Sequence, residues 1–238
     1  PMSDDVHKRF SLLKRHQRLT REEFSAHYRD VHGPLASGLA GFRRYTYRYV
    51  QNHVLAAPGA AGDPPFDGVT ETFQMPRRDL TRGFFQTPDY AAARRDEEVL
   101  FDLSRTASVL GRERVPVDGP EAACKCMVLL ATEVGPGDLP AAAVGAVRDA
   151  LPRIRRWVDN ALLTASAGAL GGTARPFPYD RIAELWFDDA AELDRACRDP
   201  RLSALLGQRA DPAPPPLVLE VQAITVFAEP RPPFLDEP

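Results

Sequence analysis

Hydrophobic and polar positions alternate with period two along FRRYTYRYVQNHV, which starts at Phe42, and this stretch is rich in β-formers. It reads as a strand. The preceding LTREEFSAHYRDVHGPLA has a different rhythm: Phe24, Tyr28 and Val31 fall at i, i+4 and i+7, one apolar stripe of a helix. Thr20 and Glu23 form a capping box at its start, and Gly33-Pro34 disfavour its continuation. HKRFSLLKR before the helix is strand-like, the Ala/Gly/Pro segment Ala56–Pro65 is a loop, and GVTETFQ is a third strand. A helical stretch from Leu80 to Val99 and a fourth strand, ASVLGRERVPV, complete the order. The same order returns as CKCMVLLAT, a helix over Ala141–Ala150, RRWVDNALLTA, RIAELWF, a helical part from Ala190 to Leu206, and PLVLEVQAITVF.

The return is a repeat. YVQNHVL matches WVDNALL, PPFDGVTETF matches FPYDRIAELWF, and QTPDYAAARR matches RDPRLSALLG. The anchors Val50 and Val158, Asp67 and Asp180, and Pro88 and Pro200 lie 108, 113 and 112 residues apart. The expected fold class is α+β, with two tandem ferredoxin-like βαββαβ units packed sheet to sheet as an intrachain dimeric α+β barrel. The N-terminal unit spans 6–118 and carries the expected pocket; the C-terminal unit, 119–230, is a degenerate repeat.

Composition narrows the classes. Of 238 residues, 44% are hydrophobic and 26% charged, ordinary for a globular chain, and a net charge of −3 offers no footprint for nucleic acid or an anionic membrane. No apolar run approaches a bilayer span, and the start lacks the apolar core of a secretory signal, so a cytoplasmic protein is expected. Cys124, Cys126 and Cys197 are too sparse for a zinc site and read as reduced thiols, the first two sharing one strand face in the core. The proline-rich DPAPPP and EPRPPF read as turn or tail segments.

FSAHYRDVHGPLA, RRYTYRYVQNHV and PPFDGVTETF resemble the EthD family of dimeric α+β barrel proteins, and more loosely the polyketide cyclases and muconolactone-type isomerases of the same superfamily. The likeness covers most of residues 6–117; in the second unit it is clear in VDNALL and YDRIAELWF. It implies a pocket between a sheet and its own helices. In the isomerase-like relatives a histidine of the matching motif works in the pocket, and that position falls on His32. The motif tyrosine falls on Tyr45, and a third-strand reactive cysteine falls on Thr72, a departure from that pattern.

The repeat supplies an internal control. Asn52/Asn160, Asp67/Asp180 and Glu71/Glu184 recur and read as scaffold, whereas all five histidines lie in the first 53 residues. The working site is therefore expected in the first unit. His32 is the candidate acid/base, because an imidazole exchanges protons near neutral pH. The competing role is a helix-end histidine that stabilises the macrodipole. Tyr45 is the expected catalytic partner at the start of the second strand. Tyr28, Thr72, Tyr47, Tyr49, Gln51 and His53 are expected to bind substrate, with Tyr45 to His53 along one face; a plain aromatic packing face fits that pattern equally. His53 is expected roughly 26 Å from the His32 end, at about 3.3 Å per residue. His27 and His32, five apart on a helix, point about 140° apart and could not share a metal.

The reaction class expected is a cofactor-independent lyase or isomerase, by dehydration, cyclisation, isomerisation or decarboxylation of a small hydrophobic aromatic or polyketide-like metabolite. No metal and no cofactor are expected. The alternatives are a haem enzyme with a histidine ligand, or a non-catalytic binder of a hydrophobic metabolite. The partner expected is the small substrate alone, in an intrachain pseudo-dimer free to associate further as a homodimer.

Overall fold

The computed structural model describes residues 7–59, 62–76, 83–135, 137–163, 166–167, 175–199, 201–206 and 214–230. The start expected at Leu80 for the second helix, and parts of DPAPPP and EPRPPF, lie outside these. In chain order the elements are β1 (His7–Leu13), α1 (Arg21–His27), a π-helical turn (Tyr28–His32), α2 (Gly33–Gly38), α3 (Ala40–Tyr45), β2 (Thr46–Ala56) and β3 (Gly68–Gln74). A 3-10 turn (Phe84–Gln86), α4 (Tyr90–Leu100), β4 (Ala107–Val117), β5 (Cys124–Leu130), α5 (Ala141–Ala150) and β6 (Arg156–Leu162) follow. The chain ends with a two-stranded pair β7 (Ser166–Ala167) and β8 (Arg175–Pro176), then β9 (Arg181–Phe187), α6 (Ala190–Arg198), α7 (Leu202–Leu205) and β10 (Leu217–Ala228).

Eight strands close into one antiparallel barrel in the order β1-β3-β2-β10-β5-β9-β6-β4, with β4 pairing back to β1. This overturns the expected fold class: two separate ferredoxin-like sheets stacked face to face do not form. The reason lies in strand length. β4 and β10 run 11 and 12 residues and β2 also 11, against 7 for β1, β3, β5, β6 and β9. The first part of β4 pairs with β1 and its end, Gly111–Val117, pairs with β6; likewise β10 pairs first with β5 and then, from Glu220, with β2. Each long strand thus crosses to the other half and satisfies an edge that stacking would have left open.

Side chains alternate across the barrel wall. One end of the lumen is apolar, with Phe10, Leu12, Val69, Met127, Leu129 and Ile182 buried together. The other end is ionic. Lys8 pairs with Glu71 at 3.2 Å, with Glu113 at 2.9 Å and with Glu184; Lys125 pairs with Glu71 and, at 2.6 Å, with Glu184. Asn52 and Asn160 donate to Glu71 and Glu184 at 2.8 and 2.9 Å. Burial opposes ionisation of Glu71, but Lys125, Lys8 and the Asn52 bond outweigh it and hold the carboxyl far below its ordinary range. Lys8 and Lys125 were not singled out from sequence; they explain how two recurring glutamates can be buried. Asp67 and Asp180 make turn bonds, accepting the backbone N–H of Arg15 at 3.0 Å and of Thr132 at 2.9 Å.

The helices cover the outside. α5, α6 and α7 seal Trp157, Val128, Leu185 and Phe187 into a packed core, where Cys126 and Cys197 are buried free thiols. No helix among the described residues is long and apolar enough to cross a membrane.

Candidate active site beneath the first helices

Thr20 caps α1 as its sequence predicts, accepting from Glu23 N–H at 3.1 Å while Glu23 bonds back to the Thr20 N–H at 2.8 Å. The helix does not stop at Gly33-Pro34. Gly33 N–H bonds the Tyr28 carbonyl five residues back, a π-type turn, and Pro34 sits in the first turn of α2, where its missing N–H costs nothing. The wider turn changes the side-chain geometry, since residues five apart now share a face. His27 Nε2 and His32 Nδ1 both reach Asp96 on α4, at 2.7 and 2.8 Å, through its two carboxylate oxygens. The 140° separation expected of an α-helix is overturned, though the two imidazoles share a carboxylate rather than a metal. Among the described residues no group of three or more His, Cys, Asp and Glu is placed to hold a metal ion.

Burial would raise the proton affinity of Asp96, but the bonds from His32 and His27 outweigh it and hold the carboxyl below its ordinary value. An ionised Asp96 fixes the His32 proton on Nδ1 and leaves Nε2 as the accepting nitrogen. His32 is 7% exposed, its ring edge-on to Phe101 at 5.4 Å, and it lines a cavity of about 50 Å³ between the sheet and the helices. Arg9, Ser11, Thr70, Thr72, Tyr49 and Glu97 supply the polar lining. Phe42, Phe84, Phe85 and Phe101 supply the aromatic lining.

Of the residues expected in the site, His32, Tyr49 and Thr72 line the cavity. Tyr28, Gln51 and His53 stand directly behind it. The Tyr28 hydroxyl bonds Thr70 Oγ1, Gln51 Nε2 donates to the Tyr28 carbonyl at 2.7 Å and to the Tyr49 hydroxyl at 3.0 Å, and Ser25 bonds His53 Nδ1 at 2.8 Å. A Cβ at Gly33 would come within 3.1 Å of Gln51 Nε2, so the bare glycine lets that amide approach the π-helical turn.

Three placements depart from the sequence reading. His53 is not remote from His32: their rings lie 5.0 and 5.9 Å from the Tyr28 ring. α2 and α3 intervene between His32 and β2, so His32 stands opposite the middle of that strand rather than its start. Tyr45 ends α3 rather than starting a strand; its ring packs on Gly83 and lies outside the cavity lining. Tyr47 does not share a face with Tyr49. A bulge between Thr46 and Arg48 shifts the pleat and sends Tyr47 to the opposite side with Val50 and Phe73, whose ring is 5.9 Å away.

Sequence reasoning also missed Asp96 and Glu97. A signal for Glu97 was present: Tyr90, Ala93, Glu97 and Leu100 are the buried stripe of α4, so a carboxyl occupies an apolar position.

The EthD domain model matches residues 16–104 and 141–211. The chain belongs to the EthD family. No curated protein sequence matches it. Among solved structures this EthD protein is similar to an anthrone oxidase-like protein, at 9% identity and a TM-score of 0.55 over 94% of both chains. It is also similar to a variant of chlorite dismutase from Candidatus Nitrospira defluvii, at 11% identity and a TM-score of 0.52 over 93% of this chain and 92% of that one. These likenesses concern the fold alone.

Proposed function

We propose that this EthD protein is an enzyme that moves protons on a small hydrophobic, aromatic substrate, with His32 as the acid/base. The observation that carries this reading is the His32–Asp96 pair: a buried imidazole whose Nδ1 is fixed by a carboxylate and whose ring lines an aromatic cavity. In the step common to isomerisation, dehydration and cyclisation, Nε2 takes a proton from a substrate carbon beside a carbonyl, and Asp96 stabilises the imidazolium that forms. Pockets that hold organic ligands are roughly 300–1,000 Å³. The cavity of about 50 Å³ is smaller than that, so this reading requires a substrate ring to displace lining side chains such as Phe84 or Phe85 on the 3-10 turn.

A haem does not fit this site. The His32 ring is hemmed by Phe101 at 5.4 Å and Tyr28 at 5.9 Å, so no plane as wide as the macrocycle is open beside it.

The test is exchange of carbon-bound protons in deuterated water, followed by proton NMR with 2-tetralone and related aromatic ketones as probes. The wild-type protein is expected to accelerate exchange, and His32→Ala to lose about 100-fold or more while its circular dichroism and melting are unchanged. Exchange that is equal in wild type and His32→Ala refutes the assignment.

A further inference from the structure

Glu97 stands on the cavity wall with His32, yet nothing in the His32–Asp96 pair requires it. It is 5% exposed. Tyr90, two helical turns earlier on α4, donates its hydroxyl to Glu97 Oε2 at 2.6 Å, and Arg94 also bonds that hydroxyl. The Tyr90 bond anchors one carboxyl oxygen, Oε2, of a side chain that lines the cavity. A carboxyl in a stripe otherwise made of Tyr90, Ala93 and Leu100 is costly to bury without a use.

We propose that Glu97 is the protonated partner of His32: its Oε1–H donates to the substrate carbonyl oxygen, which makes the substrate class an enolisable aromatic carbonyl compound. The proposal rests on the proton-transfer reading above. The step balances. The C–H bond breaks and its proton goes to His32 Nε2; the C–H pair becomes the C=C bond, the C=O π pair moves to oxygen, and the Oε1 proton closes the enol hydroxyl. Neutral imidazole and neutral carboxyl become imidazolium and carboxylate, and the reverse transfers return both.

The surroundings of Glu97 raise its proton affinity above that of an ordinary carboxyl. Burial pushes its proton affinity up, and the neighbouring Asp96 charge adds to it; the Tyr90 bond, His32 and Arg94 pull the other way without cancelling the rise. From the sheet, Tyr49 and Arg9 face the same cavity. A neutral carboxyl beside a carboxylate-backed imidazole is a division of acid and base by environment, since Asp96 on the same helix is held ionised. Glu97 thus takes the place of Tyr45, the catalytic partner expected from sequence, which lies outside the cavity lining.

Infrared difference spectra of the intact protein read the carboxyl directly and need no substrate. A protonated-carboxyl carbonyl band is expected at neutral pH, lost in Glu97→Gln and shifted in Tyr90→Phe, which keeps Glu97 in place. In the tetralone exchange assay Glu97→Gln is expected to fall about 10–100-fold with the probe's apparent KM little changed, because the amide donates a hydrogen bond but no proton. Absence of the band at neutral pH in the folded wild type, or wild-type exchange in Glu97→Gln, overturns the proposal. If instead the band is present and His32→Ala exchanges normally, the proton-transfer reading fails while the neutral Glu97 stands, so the two failures are distinguishable.

Discussion

The two halves of the barrel share an inside and differ on the outside. Facing the lumen, Lys8, Asn52 and Glu71 answer to Lys125, Asn160 and Glu184, and each half's lysine pairs with the other half's glutamate. Facing the helices, the correspondence breaks. Arg9, Ser11, Tyr49, Gln51, Thr70 and Thr72 in the first half stand where the second has Cys126, Val128, Trp157, Asp159, Ala183 and Leu185. The second half fills this layer with apolar packing, and there the buried Asp159 is paired with Arg181, which also donates to the Gly135 and Gly137 carbonyls. The first half keeps a cavity with His32 and Glu97 on its wall. The duplicated scaffold thus uses both lumen faces to close the barrel and leaves a polar-lined cavity beneath the outer face of the first half.

The largest expected effects test the shared lumen and the packed half. Lys8→Met and Lys125→Met should each cost about 3–5 kcal/mol in urea unfolding, because removing one ammonium strands buried carboxylates. Very unequal costs would break the equivalence of the two inner faces. Trp157→Ala should also cost about 3–5 kcal/mol, as an unfilled cavity in the packed core, whereas the corresponding Tyr49→Phe should cost only about 1 kcal/mol.

Next comes a conversion. Ser11→Val with Thr72→Leu gives the first half the pattern of the second. It should abolish tetralone exchange while unfolding midpoints stay within about 1 kcal/mol of wild type; retained exchange would show that the cavity is not where the chemistry occurs. Asp96→Asn should leave stability nearly unchanged and slow exchange about 10–100-fold, with imidazole nitrogen NMR showing the His32 proton no longer confined to Nδ1.

The smallest effect is a pH slope that belongs to the first half. Burial, aided by Arg29 and opposed by Asp30, holds His53 down at about 4 instead of 6.5, and its Nε2 has no hydrogen-bond partner among the described residues. The unfolded chain therefore binds this proton first. The His53 contribution is fully present above pH 6.5, declines as pH falls from about 6.5 to about 4, and levels off below. His53→Gln should flatten that segment of the stability profile. The position equivalent to His53 in the second half is Ala161, so no matching slope is expected from it.

Much of this was legible in the chain. The strand-like runs located the eight barrel strands to within a few residues, and Thr20 and Glu23 marked the start of α1, because strand propensity and capping are local rules. The concentration of histidines before residue 54 pointed to the half that holds the cavity. Tyr47 shows where such reading stops: alternation put it with Tyr49, but a bulge that depends on pairing with β3 moved it across the wall. Tyr45 was misplaced similarly, since six residues of helix replaced an expected strand start.

By itself the sequence determined the repeat, the strands, the first helix start and His32 as the titratable group worth following, all consequences of spacing along one element. Only the tertiary structure decided that the sheets join by their edges into a barrel, because that depends on where two long strands find partners in the other half. Only it brought Asp96 and Glu97, more than sixty residues away, to His32, and the π-helical turn that turns His27 onto the same carboxylate has no periodic signature that a strand-and-helix reading could detect.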